Sequence, residues 1–403
     1  MRLTMAALLT ASSLALMHAS AQAQYGGGPI KIGVLNDVSS LNSIAGRGSL
    51  WAAKKAVADF GAANKGMKVE VIGADHQNRA DVGASIARSW IDVDKVDVIV
   101  DVPNSAVALV VSEITREKNK VFLGSGPASS DLTGLQCSPN AIQWTYDTWS
   151  LANGTGKTLV QAGGTTWFFL TSDYAFGHAL ERDTAAVVEA NGGKVLGKVR
   201  HPLGTGDFSS FLLQAQASKA KVIGLANAGG DTINSTKQAA AVGIIKGGQM
   251  LAGLLVLITD VHSLGLQTAQ GLLFTAPWYW NMNDDNRAWA KEYFADNKRM
   301  PSYPVAGVYS AVIHYLKAVE ALGSHSDGAA VVAKMKQLPT DDKLFHTGTI
   351  RPDGRKIHDM YLFEVKSPDE SKYNWDYYKL RTTIPAARAW RPLDQGGCPL
   401  VKN

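Results

Sequence analysis

Hydroxyl-bearing residues gather where two runs of the sequence end. Between residues 96 and 134 the chain reads VDVIVDVPNSAVALVVSEITREKNKVFLGSGPASSDLTG. The run 96–100 is short, β-branched and bounded by turn formers, the mark of a buried parallel strand. Pro103 and Asn104 break it, and Ser105 is placed to cap an apolar-periodic helix over 106–118. A second buried run, 121–123, opens into the small-residue loop GSGPASSD. Two strand ends therefore finish side by side with free hydroxyls and backbone N–H groups. At the carboxyl edge of a parallel sheet such groups can hold a small molecule, and a helix start favours an anion. Ordinary βα turns carry the same residues, so the stretch nominates a site without naming its ligand.

Chemistries that need stricter spacing are missing from the sequence. GTGKT at 154–158 imitates the tail of a phosphate loop, but Leu151 stands where the opening glycine is required. GSGPAS lacks the third glycine of a dinucleotide fingerprint. There is no HExxH and no GxSxG elbow, and none of the nine histidines stands at metal-ligand spacing. The expectation is a protein that is not an enzyme, with no catalytic residue, no metal and no cofactor.

The 403 residues are 46% hydrophobic and 19% charged, enough apolar content for two sizeable cores. Residues 1–23 read as a secretory signal: Arg2, an apolar stretch over 5–17, then Ala21-Gln22-Ala23 as the cleavage site. That stretch is too short to span a bilayer, and no other segment suggests a span. The net charge of +5 is scattered, without a basic run interleaved with aromatics, so nucleic-acid binding has no support. An exported chain whose two cysteines are Cys137 and Cys398 is expected to join them in a disulfide.

Strand and helix patterns alternate on a period of about 25 to 30 residues, the signature of βαβ units. Strands are predicted at 31–35, 68–72, 96–100 and 121–123, and after Cys137 at 166–170, 194–199, 222–226, 249–257 and 272–276. Helices are predicted between them, including 148–161, 178–191, 208–218 and 232–242. Then 284–297, 303–322 and 328–337 read as three helices in a row, and a strand pair at 361–365 and 377–384 closes the chain. One sheet does not accommodate so many strands; two α/β lobes do. The helical block lacks strands of its own and should return to cover the first lobe, with the closing pair completing the second. A cleft between two such lobes is a natural ligand site.

At this point the chain resembles the branched-chain amino-acid type of periplasmic binding protein, the solute receptors of ABC importers. The resemblance spans about 30–378 and rests on KIGVLND, DVPNSAVA, GSGPASSDLTG, DYAFG and AQASKAKVIGLANAGGDT in that order. It implies an α/β fold of two Rossmann-like lobes joined by three hinge crossings, near 143–147, 274–279 and 349–356. The implied divisions are 24–145 and 276–350 for lobe one, 146–275 and 351–390 for lobe two, and a tail over 391–403. It also implies a periplasmic monomer that delivers a small-molecule ligand to an inner-membrane permease.

Site residues follow from the same resemblance. Ser105, next to Asn104, matches a hydroxyl that binds a ligand carboxylate, and Ala128 with Ser129 matches the loop that completes that site. Tyr146 follows the first crossing. Tyr174 and Phe176 lie in a second-lobe turn that supplies an aromatic ring, although Phe176 would serve equally as packing. Asn227 and Asp231 lie in the loop facing it, where Asp231 would also cap the next helix. The amino-acid binders carry an acid after a second-lobe strand to pair with the ligand ammonium; here that stretch is LAGLLVLI, without charge near Leu254. An unpaired buried ammonium is costly, so an aromatic or apolar carboxylate is the expected ligand. The alternatives are an amino-acid or amide binder, or a ligand sensor feeding a signalling protein.

Overall fold

The computed structural model describes residues 28–401, and the signal segment read at 1–23 lies outside the described residues. Five short segments form a parallel sheet in the order β2-β1-β3-β4-β5: β1 (Ile30–Asn36), β2 (Val69–Asp75), β3 (Val98–Asp101), β4 (Val121–Gly124) and β5 (Ala141–Gln143). Alternate residues of these strands feed two separate cores, because successive Cβ atoms leave a strand on opposite faces. Ile32, Val34, Val98, Val100, Val121 and Leu123 pack with Ala52, Ala53 and Ala56 of the helix Ser49–Phe60. Leu35, Ile99 and Phe122 pack with Ala87, Val107 and Val111 of the helices Ala80–Asp92 and Ser105–Glu117. Both faces are covered, which is why β3 and β4 read as unbroken apolar runs.

The three late helices, Asp284–Asn297, Tyr303–Leu322 and Gly328–Gln337, return to this lobe. Tyr303–Leu322 is the one described helix long and apolar enough to cross a membrane by length and composition. Most of it is buried against Ser49–Phe60 and β3, so its apolarity serves the core.

The second lobe is a four-stranded parallel sheet, β7-β6-β8-β9, from β6 (Thr166–Ser172), β7 (Lys194–His201), β8 (Val222–Ala226) and β9 (Met250–Gly253). The strand expected over 249–257 stops at Gly253, and residues 254–257 leave the sheet before a helix, Ile258–Leu264. The chain doubles back there so tightly that a Cβ on Gly253 would lie 2.6 Å from Val256. The helix over 148–161 forms but is broken by a π turn at Ala152–Gly156, which holds most of the GTGKT sequence in helical backbone.

The closing strand pair does not complete the parallel sheet. After β10 (Leu273–Ala276) and a small hairpin, β11 (Thr349–Ile350) with β12 (Lys356–Ile357), come β13 (Met360–Val365) and β14 (Tyr378–Ile384). β10, β13 and β14 form their own antiparallel sheet. A returning strand that runs antiparallel takes β10 as its partner and leaves the parallel ladder as it is.

The chain passes between the lobes after β5, after β10 and through the β11–β12 hairpin. The first and third passages touch: the Gln143 N–H donates to Gly354 O at 3.0 Å, and the fully buried Arg355 donates from Nη1 to Tyr146 O at 2.8 Å. Arg355 also lies over the Trp390 ring at 4.5 Å, and Lys356 Nζ sits between the rings of Trp144 and Phe345 at 5.1 and 4.5 Å. Burial pulls Lys356 down to about 7 and Arg355 to about 10. Trp278, Tyr279 and Trp280 are buried at the second passage, where Tyr279 Oη and Trp280 Nε1 both donate to Trp375 O. Cys137 and Cys398 are joined in a disulfide. The tail ahead of Cys398 is held as well: Arg351 Nη1 donates to Arg391 O at 2.7 Å, and Arg391 Nη2 donates to Ser130 O at 3.0 Å.

Candidate ligand-binding site

The carboxyl ends of β1 and β3 build the polar floor of the cleft. Asn36 ends β1; its Nδ2 donates to Ser49 Oγ at 3.1 Å and to Asp101 Oδ2, while its Oδ1 accepts the Asp37 N–H. Asp101 ends β3 in a left-handed conformation, φ 78°, and Val102 follows at φ 57°. Two such residues in a row, one of them β-branched, hold backbone strain of a kind found at functional sites. Asp101 is 1% exposed, and its Oδ1 has no hydrogen-bond partner. Burial pushes its carboxyl up to about 7, opposed by the Ser49 hydroxyl beside it.

The loop after β4 forms the next side. A Cβ on Gly126 would lie 2.6 Å from Asp101 Oδ1 and 2.8 Å from Pro103 Cα, so only glycine lets the loop come this close. Tyr146 Oη donates to Gly126 O at 2.6 Å, and Tyr146 meets Tyr303 edge-on with ring centroids 5.1 Å apart. Burial raises the Tyr146 hydroxyl well above its ordinary value, keeping it a donor. Ala128 O accepts the Thr148 N–H at 2.7 Å, tying the loop to the start of the next helix.

The opposite wall comes from lobe two and is apolar. Tyr174 and Phe176 stand at the start of the helix Ala175–Ala190, 5.9 Å apart between centroids, and Ala228, Leu255 and Leu257 complete the surface. Pro304 and Val305, from the start of Tyr303–Leu322, close one end. The two walls come close together and leave a cavity of about 40 Å³ between them. Among the described residues no Lys, Arg or His lines it, and Asp101 is its single acid. The lobes are shut over it. Ser130 Oγ donates to Asp183 Oδ2 at 2.7 Å, Arg182 pairs with Asp131 at 3.0 Å, and on the other rim the Gly230 N–H donates to Leu41 O at 3.4 Å.

The structure separates the residues singled out from sequence into two groups. Ala128, Tyr146, Tyr174 and Phe176 line the cavity. Asn104, Ser105, Ser129, Asn227 and Asp231 stand behind its walls and hold them. Asn104, and not Ser105, caps the helix Ser105–Glu117: its Oδ1 accepts the Ala106 and Val107 N–H groups at 2.8 and 3.1 Å. The slip of one residue arises because either side chain can cap and the turn fixes which one reaches. Ser105 Oγ instead accepts the Ser129 N–H at 3.1 Å, joining the two strand-end loops. Asn227 is spent within lobe two, accepting from Thr232 Oγ1 at 2.9 Å and facing Ser235 and His201 at 3.3 Å. Asp231 accepts from the Gly204 N–H at 3.2 Å and from Ser172 Oγ at 3.4 Å; burial raises its carboxyl and depresses the imidazole of His201 near it.

Asn36, Ser49, Asp101, Leu255 and Leu257 were not anticipated. A carboxyl or amide at the last position of a buried strand was the available signal for Asn36 and Asp101, since a parallel sheet aims that position at the cleft. The leucines gave none, because an apolar run looks alike in a strand and in a cavity wall. No cluster of three or more His, Cys, Asp or Glu able to hold a metal ion exists among the described residues.

Comparison with known proteins agrees with this architecture. A family model described as periplasmic binding protein matches residues 29–372. A periplasmic binding protein from Burkholderia mallei is 53% identical, covers 94% of this chain and 100% of its own, and superposes with a TM-score of 0.91. A branched chain amino acid ABC transporter periplasmic ligand-binding protein from Burkholderia xenovorans is 38% identical over 92% of this chain and 99% of its own, TM-score 0.82. At 22% identity, where likeness speaks for the fold alone, an ABC transporter solute binding protein from R. palustris in complex with 4-hydroxybenzoate covers 90% of this chain and 98% of its own, TM-score 0.81. The chain belongs to the periplasmic binding protein family, the two-lobed solute receptors of ABC transporters.

Proposed function

We propose that this protein is exported by cleavage after about Ala23 and captures a small organic acid with an aromatic or apolar body for an inner-membrane importer. The observation that carries the reading is the asymmetry of the closed cavity: a polar lobe-one floor faces an apolar lobe-two wall. The acid group would rest against the Gly126–Ala128 loop, which Ser105, Ser129 and Asn104 hold in place, while Tyr146, Tyr174 and Phe176 enclose the body. Asn227 and Asp231 act from behind, stiffening lobe two. The fold neighbour from R. palustris holds a molecule of this class. A second reading, an amino acid, is favoured by the name of the relative from B. xenovorans.

A thermal-shift screen separates the two. Benzoate-like and cinnamate-like acids are expected to raise the melting temperature more than leucine, valine or glutamate. Stabilisation by the amino acids alone would replace the first reading by the second.

A further inference from the structure

Asp101 is the polar group of the cavity with the most left undone. Its Oδ2 accepts from Asn36 Nδ2, yet its Oδ1 has no partner in a residue only 1% exposed. Buried acceptors are nearly always satisfied, and an exception calls for a cause. Two neighbouring donors are committed, Tyr146 Oη to Gly126 O and Asn36 Nδ2 to Ser49 Oγ and Asp101 Oδ2, and the Ser49 hydroxyl stands beside the carboxyl without a hydrogen bond to Oδ1. The strained backbone at Asp101 and Val102 keeps the carboxyl where it is, and the Gly126 backbone packs close beside Oδ1 without bonding to it. No basic side chain among the described residues lines the cavity, so a donor carried by the ligand can complete the site. An anionic end would meet like charge in the ionised form of Asp101, and the unpartnered Oδ1 is an acceptor, so the group that suits the place is a donor.

We propose that Asp101 is a specificity-determining residue that accepts a hydrogen bond from a hydroxyl or ammonium on the ligand, so that the protein selects hydroxy- or amino-substituted acids over the same acids without the donor. This deepens the organic-acid reading above and rests on it. Asp231 has an unpartnered oxygen too, but it does not line the cavity.

Titration calorimetry with matched acids tests it: benzoate against its three monohydroxy derivatives, and 4-methylpentanoate against leucine. In the set that binds, a donor-bearing acid is expected to bind about tenfold or more tightly than its donor-free partner, as for a hydrogen bond to a charged group. Asp101→Ala is expected to bring that ratio close to one. Asp101→Asn, of equal volume, is expected to reduce it and serves if the alanine variant melts early. The hydroxybenzoate and leucine arms tell a hydroxyl from an ammonium as the donor. Equal binding of donor-bearing and donor-free acids, or a ratio unchanged in both variants, overturns the role of Asp101 alone. Binding of neither set overturns the organic-acid reading and this inference with it.

Discussion

The two walls of the cleft start from the same architecture and use it in opposite ways. In lobe one the strand ends turn polar groups into the cavity: Asn36 from β1, Asp101 from β3, and the Gly126–Ala128 loop after β4. In lobe two the polar groups at equivalent places, His201, Asn227 and Asp231, turn away from the cavity and bond within the lobe, and what faces the cavity is Tyr174, Phe176, Ala228, Leu255 and Leu257. Directional contacts belong to one rigid body and apolar cover to the other. Under the proposed function, such a division would let lobe one orient a ligand before lobe two removes it from water. The lobe-one loop after β4 is braced by the disulfide, by Arg391 and by Thr148.

Breaking the brace should have the largest effect. Cys398→Ser releases the tail from Cys137, and a loss of about 2–5 kcal/mol in unfolding free energy is expected, read from denaturant midpoints. An unchanged midpoint would mean that the tail does not support lobe one. Gly126→Ala comes next. Its Cβ meets Asp101 Oδ1 and the Pro103 backbone, and overpacking of about 1–3 kcal/mol corresponds to a loss of roughly 5–150-fold in affinity. Calorimetry that finds no loss would remove this loop from the ligand's surroundings.

On the lobe-two side the expected effect is smaller and different in kind. Leu255→Ala removes apolar area without removing a directional contact, so affinity should fall about 5–30-fold, and by a similar factor for every ligand. A change in the order of preference among ligands would contradict the division between the walls. The smallest effect is expected at the hinge. Lys356 is depressed from its ordinary 10.5 to about 7 in the folded protein, so between those values the unfolded chain binds more protons and stability rises with pH. Lys356→Met should flatten that rise between pH 7 and 10 in denaturant titrations, and an identical slope in both proteins would show that Lys356 is not held neutral.

Much of this architecture is legible in the sequence, for a physical reason. β3 and β4 are covered on both faces, so they appear as short unbroken apolar runs between turn formers, and the helices between strands keep their period. The exceptions have two causes. Residues 254–257 satisfy the same apolar requirement as a buried strand while lining a cavity, and β13 and β14 pair with β10 because of chain direction, which residue types do not record. At the site, aromatic and small residues in turns, Tyr146, Tyr174 and Ala128, stand out locally. Asp101 does not, because a carboxyl at a strand end also suits an ordinary turn, and its significance lies in partners up to 65 positions away.

The central claim is that lobe two closes over a ligand held by lobe one. Small-angle X-ray scattering of the protein with and without the most stabilising acid of the screen addresses it directly. The radius of gyration is expected to fall at saturation, as the contacts of Ser130 with Asp183 and of Gly230 with Leu41 form across the cleft. An unchanged radius of gyration at saturating ligand would contradict it.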